Sequence, residues 1–116
     1  MNKVNFEDFE KIMSYDIIKA QREGLDGSIE IEFDVDGSDI YYSSWMGKLI
    51  DRKTNREVYW FGLVKGGEQS YDYEIFEDFI NDKVFYGEKS LREIWNLISI
   101  INLDGASLEE MLDKYI

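Results

Sequence analysis

The side chains in this sequence that could do chemistry are carboxylates. Residues 24–47 hold Asp26, Glu30, Glu32, Asp34, Asp36 and Asp39 with no Lys or Arg, and residues 66–82 hold Glu68, Asp72, Glu74, Glu77, Asp78 and Asp82, again without a base. Between the two blocks, Lys48, Arg52, Lys53, Arg56 and Lys65 are set against only Asp51 and Glu57. Two carboxylates at a fixed separation suffice for glycoside hydrolysis. A chain with 25 acids offers so many pairs that spacing selects none of them. The run Asp34-Val35-Asp36-Gly37-Ser38-Asp39 has the composition of a calcium loop. An EF-hand, however, requires Gly at position 6 and Glu at position 12, and counting from Asp34 the glycine falls at position 4 and Trp45 at position 12. Gly66-Gly67 lacks the following Lys-Ser/Thr of a phosphate loop.

The remaining catalytic vocabulary is absent. The sequence has no His and no Cys. That removes Ser-His-Asp and Cys-His nucleophiles, zinc–thiolate sites, iron–sulfur ligation and disulfides. The expectation is a chain that is not an enzyme, has no metal site and needs no cofactor.

The charge itself is then the feature to explain. Net charge is −12 in 116 residues, and such an excess repels itself in the compact state. Hydrophobic content of 44 % and aromatic content of 16 % argue against disorder. The acidity therefore belongs to a folded surface, in one domain spanning residues 1–116. That surface disfavours nucleic acid and anionic lipid. No stretch approaches the ~20 apolar residues of a membrane span, and the N-terminal Met1-Asn2-Lys3-Val4 run lacks signal-peptide layout. The expected location is cytoplasmic.

The clearest candidate surface comes from alternation. Over residues 28–35, Ile29, Ile31, Phe33 and Val35 point one way and Glu30, Glu32 and Asp34 the other. Asp36-Gly37 is a two-residue hairpin signal. A hairpin centred there pairs Phe33 with Ile40 and Ile31 with Tyr42, so that Glu30, Glu32, Asp34, Asp39, Tyr41 and Trp45 share a polar face. These six are the candidate partner-binding residues. The competing expectation is a solvated sheet face whose acids pair with Lys48, Arg52 or Arg56.

The elements that would carry this face follow from periodicity and caps. Asn5 as N-cap, an apolar stripe at Phe6, Phe9, Met13, Ile17 and Ala20, and Gly24 as terminator predict one helix over about residues 6–22. Lys48–Asp51 continues the second strand and 52–56 forms a loop. Residues 57–64, apolar on both faces, predict a central strand partly covered by helices. A turn at 65–68 and a short strand at 70–73 come next, then a helix near 74–82. Capping boxes at Ser90/Glu93 and Ser107/Glu110 predict helices over 91–98 and to Tyr115. Ile98–Leu103 is readable as helix or as an extra strand. The fold class is α+β: a small antiparallel sheet of three to five strands with an N-terminal helix and two or three C-terminal helices.

The function this implies is a non-enzymatic acidic binding or inhibitor protein that occupies a basic surface of a protein partner, such as a nuclease or other nucleic-acid-binding protein. Immunity proteins against nuclease toxins and phage anti-defence proteins are similar in size and charge, and no motif ties the chain to either. An accessory module whose acidity serves solubility is the second expectation. A small carboxylate-based enzyme is the third.

Overall fold

A computed structural model describes residues 4–25 and 27–104. The fold is α+β: a five-stranded antiparallel sheet in the order β4-β3-β2-β1-β5, with helices before β1 and after β4. The strands are β1 (Ile29–Val35), β2 (Ser44–Asp51), β3 (Arg56–Leu63), β4 (Gln69–Tyr73) and β5 (Ile98–Leu103). The helices are α1 (Phe6–Met13), α2 (Ile17–Arg22) and α3 (Phe76–Asn81).

Helix α1 starts where its cap requires. Asn5 Oδ1 accepts from the Asp8 N–H at 2.8 Å, supplying a partner for one of the first-turn amides. The helical segment then breaks at Ser14–Asp16, so the expected single helix over 6–22 is two. The cause lies in the sheet. Lys48 on β2 is only 1 % exposed. Its ammonium donates to the Met13 and Tyr15 carbonyls, both at 2.7 Å, where α1 ends. It also pairs with Glu57 of β3 at 3.1 Å. Glu57 Oε2 in turn accepts from the Ile17 N–H at 3.3 Å, at the first residue of α2. A cation thus sits at the C-terminal carbonyls of one helix and an anion at the N-terminus of the next, each where the backbone dipole favours it. Asp16 completes the restart by capping the Lys19 N–H at 3.0 Å. Helix α2 ends as expected at Gly24, whose φ of 80° lets Leu25 N–H reach the Ala20 carbonyl at 2.8 Å.

The three helices among the described residues pack on one face of the sheet. The core there holds Phe9, Ile12, Met13 and Ile17 against Ile31, Phe33, Met46 and Phe61, with Phe79, Phe85 and Leu91 closing it. Rings dominate the centre: Phe61 stacks on Phe79 at 4.4 Å between centroids, and Phe9 lies 4.5 Å from Trp95. This consumes much of the aromatic content.

Two expectations shift in this region, and the open reading of residues 98–103 resolves as a strand. The Asp36-Gly37 turn exists, with Gly37 at φ 78° and the Ser38 N–H bonded to the Val35 carbonyl. It does not join β1 to β2 directly. The loop continues through residue 43, and the register is Phe33↔Ser44, Glu32↔Trp45 and Ile31↔Met46. The capping box at Ser90/Glu93 also forms reciprocally, at 3.0 and 3.2 Å. It is followed by turns and a short 3₁₀ segment, Trp95–Leu97, in place of an α-helix over 91–98. Residues 98–103 are claimed as an edge strand by β1, with Val35↔Ile98 and Phe33↔Ile100. The helix expected after Ser107 lies outside the described residues.

Candidate functional site

The face of the sheet opposite the helices carries the polar half of the β1 alternation, and the strand register places its residues in two rows. One row runs Glu30, Gly47, Trp60 and Asp72 across β1, β2, β3 and β4. The adjacent row runs Asn102, Glu32, Trp45, Gly62 and Ser70, beginning at β5. Each indole thus stands opposite a glycine on the neighbouring strand, Trp45 opposite Gly62 and Trp60 opposite Gly47. The sequence source of this is the tripeptide Trp-x-Gly, present once in β2 (Trp45-Met46-Gly47) and once in β3 (Trp60-Phe61-Gly62). Antiparallel pairing makes the two copies reciprocal.

The glycines are required by packing. A Cβ on Gly47 would sit 1.8 Å from the Ile29 carbonyl oxygen and 3.1 Å from Cζ2 of Trp60. The Trp60 ring therefore occupies space over Gly47 that any side chain would claim. Gly62 lies against Gly67 of the turn after β3, with 3.2 Å between a Cβ there and the Gly67 Cα. Trp45, Trp60, Leu49, Glu30 and Asp72 line one open concavity of about 480 Å³. Its floor is apolar and its two ends are carboxylates. The indole Nε1 of Trp60 is shielded from solvent and has no hydrogen-bond acceptor among the described residues.

Of the six residues expected to share this face, Glu30, Glu32, Asp34 and Trp45 do. Glu32 accepts from the Asn102 amide at 2.5 Å and Asp34 from the Ser43 N–H at 2.7 Å. Among the described residues, neither these carboxylates nor Glu30 takes part in the ion pairs, which join Lys48 to Glu57 and Lys83 to Glu93. Lys48, one of the bases expected to neutralise the face, points into the core on the other side.

Tyr41 and Asp39 are corrections. Tyr41 is 4 % exposed. Its hydroxyl accepts from the Tyr86 N–H at 2.9 Å and its ring meets Phe85 edge-on at 5.3 Å. Both it and Asp39 belong to the loop over 36–43 and not to β2, so the alternation of the strand does not reach them. The Ser38 hydroxyl accepts from the Tyr41 N–H at 3.0 Å and Val35 N–H donates to the Tyr41 carbonyl at 2.8 Å, which turns the phenol inward. Asp39 stays exposed on the loop. Sequence reasoning missed Trp60, Asp72 and Leu49: residues 57–64 were expected to be a central strand partly covered by helices, with no face assigned to Trp60, and Leu49 and Asp72 reach the concavity only through the register of β2, β3 and β4. The doubled Trp-x-Gly was the available signal.

The perturbed titrations lie elsewhere. Burial, aided by Glu57, raises the Tyr59 hydroxyl. Burial and the hydrogen bond to Asp82 raise that of Tyr73. The Lys83 ammonium and the Ser90 N–H hold the Glu93 carboxyl down to about 2. Among the described residues, no group of three or more His, Cys, Asp or Glu side chains could hold a metal ion, and no helix is long and apolar enough to cross a membrane. Comparison with protein-family models, curated proteins and solved structures finds no match.

Proposed function

We propose that this chain is a non-enzymatic binding protein whose open sheet face receives a basic surface of a protein partner. The observation that carries the reading is the composition of that face: Glu30, Glu32 and Asp34 in a row on β1, without an ion-pair base among the described residues, beside two half-buried indoles. Unpaired carboxylates are ready to act on an approaching positive potential, chiefly by raising the association rate and selecting partners. The indoles supply the apolar anchors from which affinity comes once water is expelled. A partner that handles nucleic acid fits best, because a surface built for phosphate presents the complementary charge. Occupying that surface would inhibit it.

The test is capture of the partner from the source cell at low salt, followed by binding kinetics at two salt concentrations. The double change Glu30→Lys with Glu32→Lys should slow association roughly tenfold at low salt and flatten the salt dependence, since exposed charges are screened over about 8–10 Å. Trp45→Ala should speed dissociation and leave association nearly unchanged. A partner that binds equally well after the charge reversal would show that this face is not the site. If no partner is retained at low salt, acidity for solubility alone replaces this reading.

A further inference from the structure

Within that binding reading, on which this inference rests, the concavity is selective for one side chain. We infer that it is a slot for an arginine of the partner, with the guanidinium stacked on the indole surface of Trp45 and Trp60 and its charge met by Glu30.

The argument begins with the register. Trp45 pairs with Gly62, two positions from Trp60 on the same strand face. The two indoles therefore rise from diagonal cross-strand positions, about 7–8 Å apart. Both rings line the concavity, so a flat group entering it meets aromatic surface. The Trp60 ring lies over Gly47, and Gly62, with no side chain, leaves the concavity open beside Trp45.

The rim then decides what kind of flat group. Glu30 closes the row on one side and Asp72 on the other, and both line the concavity. A neutral ring would leave the carboxylates partly desolvated and unmatched, which is unfavourable. An anion would be repelled. A cation is attracted twice, by the carboxylates and by the indole faces, which are the strongest of the aromatic cation acceptors. Between the two basic side chains, the guanidinium fits better. It is planar, weakly hydrated, stacks on rings and bonds a carboxylate with two parallel N–H groups, whereas an ammonium is compact and strongly hydrated.

The probe is a ten-residue peptide of alternating Arg and Ser, compared with the same peptide carrying citrulline, the uncharged shape-mate of Arg, and with its Lys version. Binding is read by tryptophan fluorescence and by calorimetry. The Arg peptide should bind at least about tenfold more tightly than either comparator. Trp60→Ala, and independently Trp45→Ala, should abolish the preference for Arg over Lys, and Glu30→Gln should weaken Arg binding severalfold. Thermal unfolding of each variant establishes that it is folded, and if one indole variant is not, the other carries the test. Arg and Lys peptides that bind alike, sensitive to Glu30→Lys with Glu32→Lys but not to loss of either indole, would overturn the slot while leaving the basic-partner reading in place. An Arg preference that persists without both indoles places the selectivity elsewhere and also overturns it. No binding of either cationic peptide at low salt would overturn slot and reading together.

Discussion

Replacing Lys48 by Met should both destabilise the protein and merge its first two helices. The substitution keeps the length and apolar stem of the side chain and removes only the ammonium. Three contacts go with it: the Met13 and Tyr15 carbonyls at 2.7 Å each and Glu57 at 3.1 Å. Hydrogen bonds to a charged group contribute about 1.5–3 kcal/mol each, net of desolvation, so the two carbonyl bonds alone set a loss of ~3–6 kcal/mol. Glu57 keeps 28 % of its side-chain surface exposed, so its stranded charge is partly solvated. The expected loss is therefore about 3–6 kcal/mol, which for a chain of this size lowers Tm by roughly 12–24 °C. Urea unfolding followed by tryptophan fluorescence, with calorimetry for Tm, gives the number. Far-UV circular dichroism should gain helical signal in the folded variant, because what the lysine organises is the break between helices. Glu57→Gln should cost less, and the double variant less than the sum of the singles, since the pair is coupled. A Lys48→Met protein within ~1 kcal/mol of the parent would refute the reasoning and place this pair among buried ion pairs that an apolar side chain replaces without loss.

Other consequences follow from single positions. Gly47→Ala puts a Cβ 1.8 Å from the Ile29 carbonyl and should cost at least ~2–3 kcal/mol by prising β1 from β2, measured by the same urea titration. Gly37→Val, at φ 78°, should cost ~1 kcal/mol or more because a β-branched residue resists that conformation; unchanged stability would mean that the turn is not under this constraint. Glu93 is held down to about 2 by Lys83 and the Ser90 N–H. A depressed carboxyl stabilises the fold above its unfolded value near 4.5 and loses that contribution as pH falls toward 2. Glu93→Gln should therefore flatten the stability profile between those limits and have its largest effect at neutral pH, which melting temperature against pH will show.

What the sequence made legible was local. The alternation Ile29-Glu30-Ile31-Glu32-Phe33 names its strand and both of its faces, and Asn5, Gly24 and the Ser90/Glu93 pair each form the cap they predict. What it hid was decided at long range. The break in the first helix is made by Lys48 and Glu57, more than thirty positions away in the chain. Tyr41 is drawn inward by Phe85 and Tyr86, a partner separated by 45 positions, so a hairpin drawn from turn chemistry alone put it on the wrong side. The helix that the Ser90/Glu93 capping box predicts stops short, and the residues from Ile98 onward pair with β1 as a strand. Tertiary pairing outweighs propensity at each of these places. The candidate site was half visible: Glu30, Glu32, Asp34 and Trp45 follow from the alternation, but Trp60 and Asp72 join them only once β3 and β4 are in register.

The central claim is that the Trp45/Trp60 face is where a basic partner docks, and the indole N–H resonances test it most directly. The chain has three tryptophans. Trp95 donates its Nε1–H to the Val4 carbonyl at 2.7 Å on the helix side of the sheet, which makes it an internal reference. On titration of ¹⁵N-labelled protein with the captured partner, the account predicts that the Trp45 and Trp60 indole signals shift or broaden together while that of Trp95 stays. Movement of Trp95 with Trp45 and Trp60 unchanged, or no indole response at saturating partner, would contradict it.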